Sequence, residues 1–311
     1  MSCRKLIRLL MAVFIGGNAG SSLAQQAPQA PPDVKIETVS ISPGIYMLVG
    51  RGGNIGLTVG VDGAAIIDDQ FADMVPKIRA AVALLSDQPV QFVINTHLHG
   101  DHTGGNDAFG AAGAVIIAHE NVRRRLGSDQ VNATTGAPIP ARARDALPVI
   151  TFADQATLHF NDDDLQFSYL PNAHTETDIV VRFRKANVVH MGDLFVAGFP
   201  FIDGNSGGTF DGLIRAHASV LATVDDATRI IRGHGPLGNK AELQAYHDML
   251  VVVRDRIAKL VRARKSQEQV VEARPTREFE EKYGGANFNA AQWIGRAYVD
   301  QKRALEIRRS K

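Results

Sequence analysis

The apolar run Val90–Ile94 ends in the stretch THLHGDHTGGN, residues 96–106, which puts His97, His99, Asp101 and His102 within six positions. Four polar side chains packed at a strand end are costly unless something replaces the water they lose. A divalent cation does so, and imidazole with carboxylate favours zinc, with iron and manganese as alternatives. Alternate residues of an extended or turning segment face the same way, so His97 and His99 can share one ion while Asp101 and His102 turn towards a second. Gly100, Gly104 and Gly105 permit the tight backbone this needs. Two ions want about four ligands each, so the fold has to bring further donors to this point from later strands.

Three later strand exits offer them. His174 in PNAHTETD follows the β-type run Leu165–Leu170, Asp193 in VVHMGDLF follows Val188-Val189, and His234 in IIRGHGP follows Ile230-Ile231. The surrounding pattern is regular. Short β-type runs Ile36–Ile41, Ile45–Val49, Ile55–Val59 and Ala64–Ile67 are separated by the turn signals Pro43-Gly44, Gly52-Gly53 and Asp62-Gly63. A helical period over Asp73–Leu85 precedes the run into the histidines. The same alternation returns in the runs Leu165–Leu170, Ile179–Phe183 and Val188–Met191, the helical stretch Phe210–Val224 and the run Arg229–Arg232. Strands followed by a helix, twice over, predict two β-halves packed face to face with helices outside. Beyond Lys240 the signal is helix only, over Lys240–Lys265 and Asn289–Ile307.

The first residues form a segment of their own. Arg4, Lys5 and Arg8 precede the apolar run Leu9–Ile15, and Ser22-Leu23-Ala24 supplies small residues where a signal peptidase reads. The expectation is a secretory signal peptide over 1–24, a Pro- and Gln-rich linker over 25–33, a main domain over 34–250 and a helical extension over 251–311. The apolar run is too short for a membrane span, so the mature protein is expected to be periplasmic or secreted with no membrane association. Cys3 is the only cysteine, which leaves neither a disulfide nor a thiolate ligand in the mature chain. Residues 1–24 hold three of the 34 basic residues and none of the 33 acidic ones, so the formal charge passes from +1 to −2 without them. Nothing in that balance points to nucleic acid.

Taken together, these motifs resemble the metallo-β-lactamase-fold hydrolases. THLHGDHTGGN is similar to the HxHxDH signature of that family, and AHT, GD and GHG to its third histidine, bridging acid and final histidine. The resemblance covers roughly residues 34–250. It implies an α/β fold, the αββα sandwich, with extra C-terminal helices here. It further implies one zinc held by His97, His99 and His174, a second held by Asp101, His102 and His234, and Asp193 bridging the two.

Two metals a few ångströms apart bring a shared hydroxide close to neutral pKa and polarise the carbonyl under attack. Asp101 is the residue placed to orient that nucleophile or take its proton. The expected substrate is a small molecule with an electrophilic carbonyl, but the fold does not choose which. HTETDIVVRF is similar to the segment after the third histidine in class B β-lactamases, and export favours a β-lactamase-type activity. Many of those enzymes have a cysteine where Asp193 stands and, three positions later, a lysine that anchors the substrate carboxylate. Here that position is Val196, with Arg123, Arg124 or Arg215 as substitutes. GDLF resembles the hydroxyacylglutathione hydrolases, which makes a lactone or thioester hydrolase the alternative. PFIDGNSGGTFDGLI and GHGPLGNKAEL resemble an exported cyclase-like or quinoprotein-relay-like branch, which keeps a non-catalytic metal-binding or relay role in view.

The other expectations are modest. His119 and His190 are candidates to support the donors from behind, whereas His159, His217 and His247 read as structural or solvated. Gly127–Leu147 lacks a clear period and is long for a connection, which predicts a lid or binding loop. The basic cluster Arg254, Arg256, Lys259, Arg262, Arg264 and Lys265 reads as a solvated helix face.

Overall fold

The β-type runs at the start of the chain pair into a meander. In the computed structural model, which describes residues 33–131, 136–285 and 288–309, β1 (Glu37–Ser42), β2 (Ile45–Val49), β3 (Ile55–Gly60) and β4 (Gly63–Ile67) are successive antiparallel neighbours. Helix α1 (Val75–Ala83) starts at Val75-Pro76 and crosses to β5 (Val90–Ile94), which lies parallel to β4. Pro suits that position because the first helical N–H groups have no partner to lose. The short helices α2 (Gly100–Thr103) and α3 (Asn106–Ala111) follow, then β6 (Val115–His119), parallel to β5 and absent from the sequence expectation. Helix α4 (Glu120–Leu126) leads to a small hairpin, β7 (Gln130–Val131) with β8 (Pro138–Ile139), and to β9 (Ile150–Phe152) at the sheet edge.

The second sheet runs β10 (Gln155–Phe160), β11 (Asp163–Tyr169), β12 (Ile179–Phe183), β13 (Val188–His190), β14 (Arg229–Ile231) and β15 (Gly238–Asn239) in spatial order. Helix α5 (Phe210–Leu221) is the crossover that makes β13 and β14 parallel. Helix α6 (Lys240–Arg262) opens with a capping box, in which Asn239 Oδ1 accepts from Glu242 N–H and Glu242 Oε2 accepts from Asn239 N–H. It crosses residue 250 without a break, and α7 (Gln267–Glu272), α8 (Glu280–Tyr283) and α9 (Ala290–Arg309) complete the chain. Residues 1–32, where the signal peptide and most of the linker are expected, lie outside the described residues, as do 132–135 of the expected lid. Among the described residues no helix is long and apolar enough to cross a membrane.

Burial shows why the layers stack. Met47, Ile67, Ile94 and Ile117 of the first sheet meet Leu165, Phe167, Val181 and Phe183 of the second between the two sheets. The opposite face of the first sheet, with Leu57, Ile66 and Val93, packs on Ile78 and Val82 of α1 and Phe109 of α3. On the far side, Val189 and Ile230 pack on α5 and α6, and the same cluster takes in Val270 of α7 and Ile294 of α9. Each such side chain contributes about 1.5–3 kcal/mol when fully buried. The result is the expected αββα sandwich, with the C-terminal helices sharing the outer core of the second sheet.

In the basic stretch of α6 and beyond, Lys259, Arg262, Arg264 and Lys265 are exposed as expected. Arg254 and Arg256 are half-buried instead, paired with Asp211 and Glu278.

Candidate metal centre

The parallel strands place their carboxyl ends side by side, and the donors emerge there, as is general for such sheets. His97 follows β5, and His99 precedes α2, whose single turn carries Asp101 and His102. His174 sits between β11 and β12, Asp193 just after β13, and His234 just after β14. The turn after His174 also secures its neighbours: Thr177 Oγ1 accepts from Leu98 N–H at 3.1 Å, pinning the peptide between His97 and His99.

All seven sequence-nominated donors converge, in two facing groups. In the first, His99 Nδ1 is 3.1 Å from His97 Nε2 and 3.0 Å from His174 Nε2, and Asp193 Oδ2 is 3.8 Å from His174 Nε2. In the second, Asp101 Oδ2 lies 3.7 Å from His102 Nε2 and 3.2 Å from His234 Nε2. The other oxygen of Asp193 reaches this group, 3.2 Å from His102 Nε2 and 3.4 Å from His234 Nε2. One carboxylate thus turns an oxygen to each group. Glycine makes room for it: a Cβ at Gly233 would stand 2.0 Å from Asp193 Oδ1, and Gly192, at φ +50°, would drive one into Thr96 Oγ1 at 2.6 Å.

Sequence reading missed the residues that orient these donors. Asp68, at the end of β4, is fully buried and accepts from Thr96 N–H, Thr96 Oγ1 and His102 Nδ1, each at 2.7 Å. Asp203 Oδ2 is 3.1 Å from His99 Nε2, and the Phe201 carbonyl accepts from His174 Nδ1 at 2.5 Å. Asp68 carried a readable signal, an acid directly after the buried run Ala64–Ile67 and hence at the same sheet edge as His97. Phe201 and Asp203 lie in the motif PFIDGNSGGTFDGLI, but nothing local ties that motif to the donors, because their loop reaches the site only through tertiary contacts.

Of the two histidines that were candidates to back the donors, His190 does so through backbone. Its Nδ1 accepts from Gly192 N–H and its Nε2 donates to the Asn54 carbonyl, holding the turn before Asp193. His119 does otherwise: it caps α4, donates to the Ala153 carbonyl and stacks on Tyr169 at 3.7 Å, touching none of the seven donors. His159 and His247 pair with Asp164 and Asp248, while His217, fully buried, donates to the Leu194 carbonyl.

The electrostatics differ between the groups. Burial holds His97 well below the ordinary imidazole range and takes His174 down to about 4. Burial also opposes charge on His102 and His234, but the carboxylates overcome it. Asp193 and Asp68 raise His102, and the carboxylates of Asp101 and Asp193, 3.2 and 3.4 Å from its Nε2, lift His234 to about 9. In return, despite its own burial, Asp193 is held well below the usual carboxylate range, chiefly by His102.

These residues fit divalent cations. Nitrogen and oxygen atoms lying 3.0–3.8 Å from one another match the edge of a tetrahedral shell with ligands at about 2.0–2.2 Å, the zinc distance for nitrogen and oxygen. His102 Nε2 and Asp193 Oδ1 are moreover buried and have no hydrogen-bond partner within the described residues. Buried polar atoms left in that state carry a penalty that a cation between them removes.

A two-sheet sandwich with such a cluster at its strand ends defines a class of metal-dependent hydrolases. The chain matches the family model of the metallo-β-lactamase superfamily over residues 49–234, more than half its length, and it belongs to that superfamily. Among solved structures, the metallo-β-lactamase from Pontibacter korlensis is similar at 18% identity and a TM-score of 0.57, over 70% of this chain and 99% of that one. The DIM-1 metallo-β-lactamase is similar at 17% identity and 0.55, over 70% and 98%. No curated protein matches the chain.

Proposed function

We propose that the protein is an exported dinuclear zinc hydrolase of small molecules with an electrophilic carbonyl, with β-lactamase-type activity favoured. The observation that carries this reading is the pair of donor groups joined by Asp193. His97, His99 and His174 would hold one ion, Asp101, His102 and His234 the other, and Asp193 would serve both. Bound there, the ions would supply an activated water and polarise the carbonyl. The protein's own share lies in orientation and proton handling. Asp68 and Asp203 fix the rings of His102 and His99, and Asp101, the more exposed of the two acids among the donors, is the candidate to accept a proton. Export is supported by the basic, apolar and small-residue order of residues 4–24.

The charge around the cluster favours an anionic substrate. Val196 pairs with His234 and packs on the outer core, so it offers no cation. Arg123 and Arg124 are taken up by the Pro148 carbonyl, Asn121 and Glu176. Arg296 of α9 instead lies 5.0 Å over the ring of Phe201, which is itself about 6 Å from the rings of His99 and His174. Arg142, in the segment expected to form a lid, comes within 3.9 Å of the Cβ position of Gly100, the residue before Asp101 in the chain. A β-lactam carboxylate would find its counter-charge in these two arginines.

The test is a hydrolysis panel on the zinc-loaded protein: a carbapenem, a cephalosporin, an acyl-homoserine lactone, a thioester and a phosphodiester. Turnover of the β-lactams above the rest is the expected result. Turnover confined to the lactone or thioester overturns the substrate assignment, and none at all overturns the enzymatic reading in favour of a metal-binding or relay role.

A further inference from the structure

The helices beyond residue 240 lie outside the matched family region, yet they hold the loop that orients two of the histidines. Three consecutive residues of that loop are each bonded to a different C-terminal helix. The Gly198 carbonyl accepts from Tyr246 Oη of α6 at 2.7 Å, Phe199 N–H donates to the Tyr283 carbonyl of α8 at 2.9 Å, and the Pro200 carbonyl accepts from Trp293 Nε1 of α9 at 2.7 Å. Phe199 is wedged among aromatic rings, stacked on Phe288 at 4.4 Å and 5.0 Å from Trp293. The next residues face the donors: the Phe201 carbonyl takes the far nitrogen of His174, and Asp203 takes that of His99. Asp203 N–H also donates to the His174 carbonyl at 2.9 Å.

We propose that the C-terminal helices are a working part of the His97, His99 and His174 site, with Trp293 a positioning residue that sets metal affinity there through residues 200–203. The inference rests on the reading that these histidines hold a metal. The partner on a ligand's second ring nitrogen fixes its tautomer and aim, and losing such a partner costs about 10–100-fold in metal affinity. Here both partners come from one irregular stretch with no strand of its own to hold it. Its upstream end is therefore anchored on α6, α8 and α9, while at the other end Asp203 Oδ1 accepts from Asn205 and Ser206 N–H. The Asp101, His102 and His234 group gets no hydrogen bond from this stretch through the far nitrogens of its rings; Asp68, at the end of β4, holds His102.

The test is zinc titration of the metal-free full-length protein against a chromophoric chelator. Trp293→Phe keeps an aromatic ring against Phe199 and removes only the N–H. It should weaken one of the two zinc equivalents about 10-fold and leave the other within about twofold of wild type. Val270→Ala, in the same core cluster on α7, serves as the control for general destabilisation. It should lower the melting temperature of the metal-free protein without changing either zinc affinity. The proposal is overturned if Trp293→Phe leaves both affinities unchanged, or if Val270→Ala weakens zinc binding as much. Affinity is read without substrate, so a failed hydrolysis panel overturns the proposed activity and leaves this comparison standing. A wild-type protein that takes up no zinc overturns both.

Discussion

The two donor groups share one carboxylate but are built on opposite electrostatic plans. The first consists of imidazoles, with His97 and His174 almost fully buried and kept neutral at pH 7 by that burial. The second is an ion-pair network in which Asp101 and Asp193 hold protonated His102 and His234, and His234 is 40% exposed. His97 and His174 are thus ready for a cation without giving up a proton. The second must exchange protons for metal, and its exposure places it nearer the solvent from which substrate arrives. The difference suggests a division of labour, with the first group as the firm holder and the second as the working side.

The largest effect expected is from Asp193→Ala, the one change that touches both groups. It should lower kcat/KM by more than about 100-fold, above the range for loss of a ligand's outer partner, and by more than His174→Ala or His234→Ala does. Steady-state kinetics with metal content measured alongside would decide it. An Asp193 variant no worse than either histidine variant would break the idea of a shared acid.

Asp68→Ala should act more strongly on the second group. It strips His102 Nδ1 of its buried acceptor, so the second group should lose about 10–100-fold in zinc affinity, while the first, reached only through Thr96 Oγ1 at 3.0 Å from His97 Nδ1, loses less. Chelator competition resolves the two equivalents. Equal weakening of both would mean that Asp68 supports the sheet edge as a whole.

At the rim the contrast becomes one between Arg296, over Phe201 by the first group, and Arg142, near Gly100. If Arg296 meets the substrate's anion, Arg296→Ala should raise KM for a cephalosporin by about 10-fold, the worth of a charge-assisted hydrogen bond, with kcat nearly unchanged. Arg142→Ala showing the larger KM change would move the anion to the lid side.

The smallest effect is a proton count. His234, held at about 9, is mostly protonated at pH 7, so a cation entering the second group must displace that proton; affinity there should rise with pH up to about 9. His174, held near 4, is already neutral, so it should release no proton on binding until the pH falls towards 4. Calorimetry in two buffers of different ionisation enthalpy measures the release. Equal release from both zinc equivalents would erase the contrast.

How much of this was legible follows from where the information sits. The seven donors each lie within a few residues of an apolar run, and a strand that must bury its side chains also determines where its end emerges. Local pattern therefore sufficed for the αββα plan and for His97, His99, Asp101, His102, His174, Asp193 and His234. β6 escaped notice because Val115–Ala118 is a short apolar run that periodicity alone cannot tell from a helix segment. His119 was a candidate for a related reason, since it stands at a strand exit like the donors, but at β6 that exit leads into a helix cap against Tyr169.

By itself the sequence determined which side chains can ligate and which strands deliver them, because ligand chemistry and two-residue alternation are properties of a few neighbouring residues. Only the tertiary structure decided which acids hold the rings and that α6, α8 and α9 reach the loop that orients His99 and His174. Asp68 lies 34 positions from His102, Asp203 lies 104 from His99, and Trp293 lies 93 from Pro200. Contacts across such separations come from packing the two sheets and their outer helices together, and no local pattern encodes them.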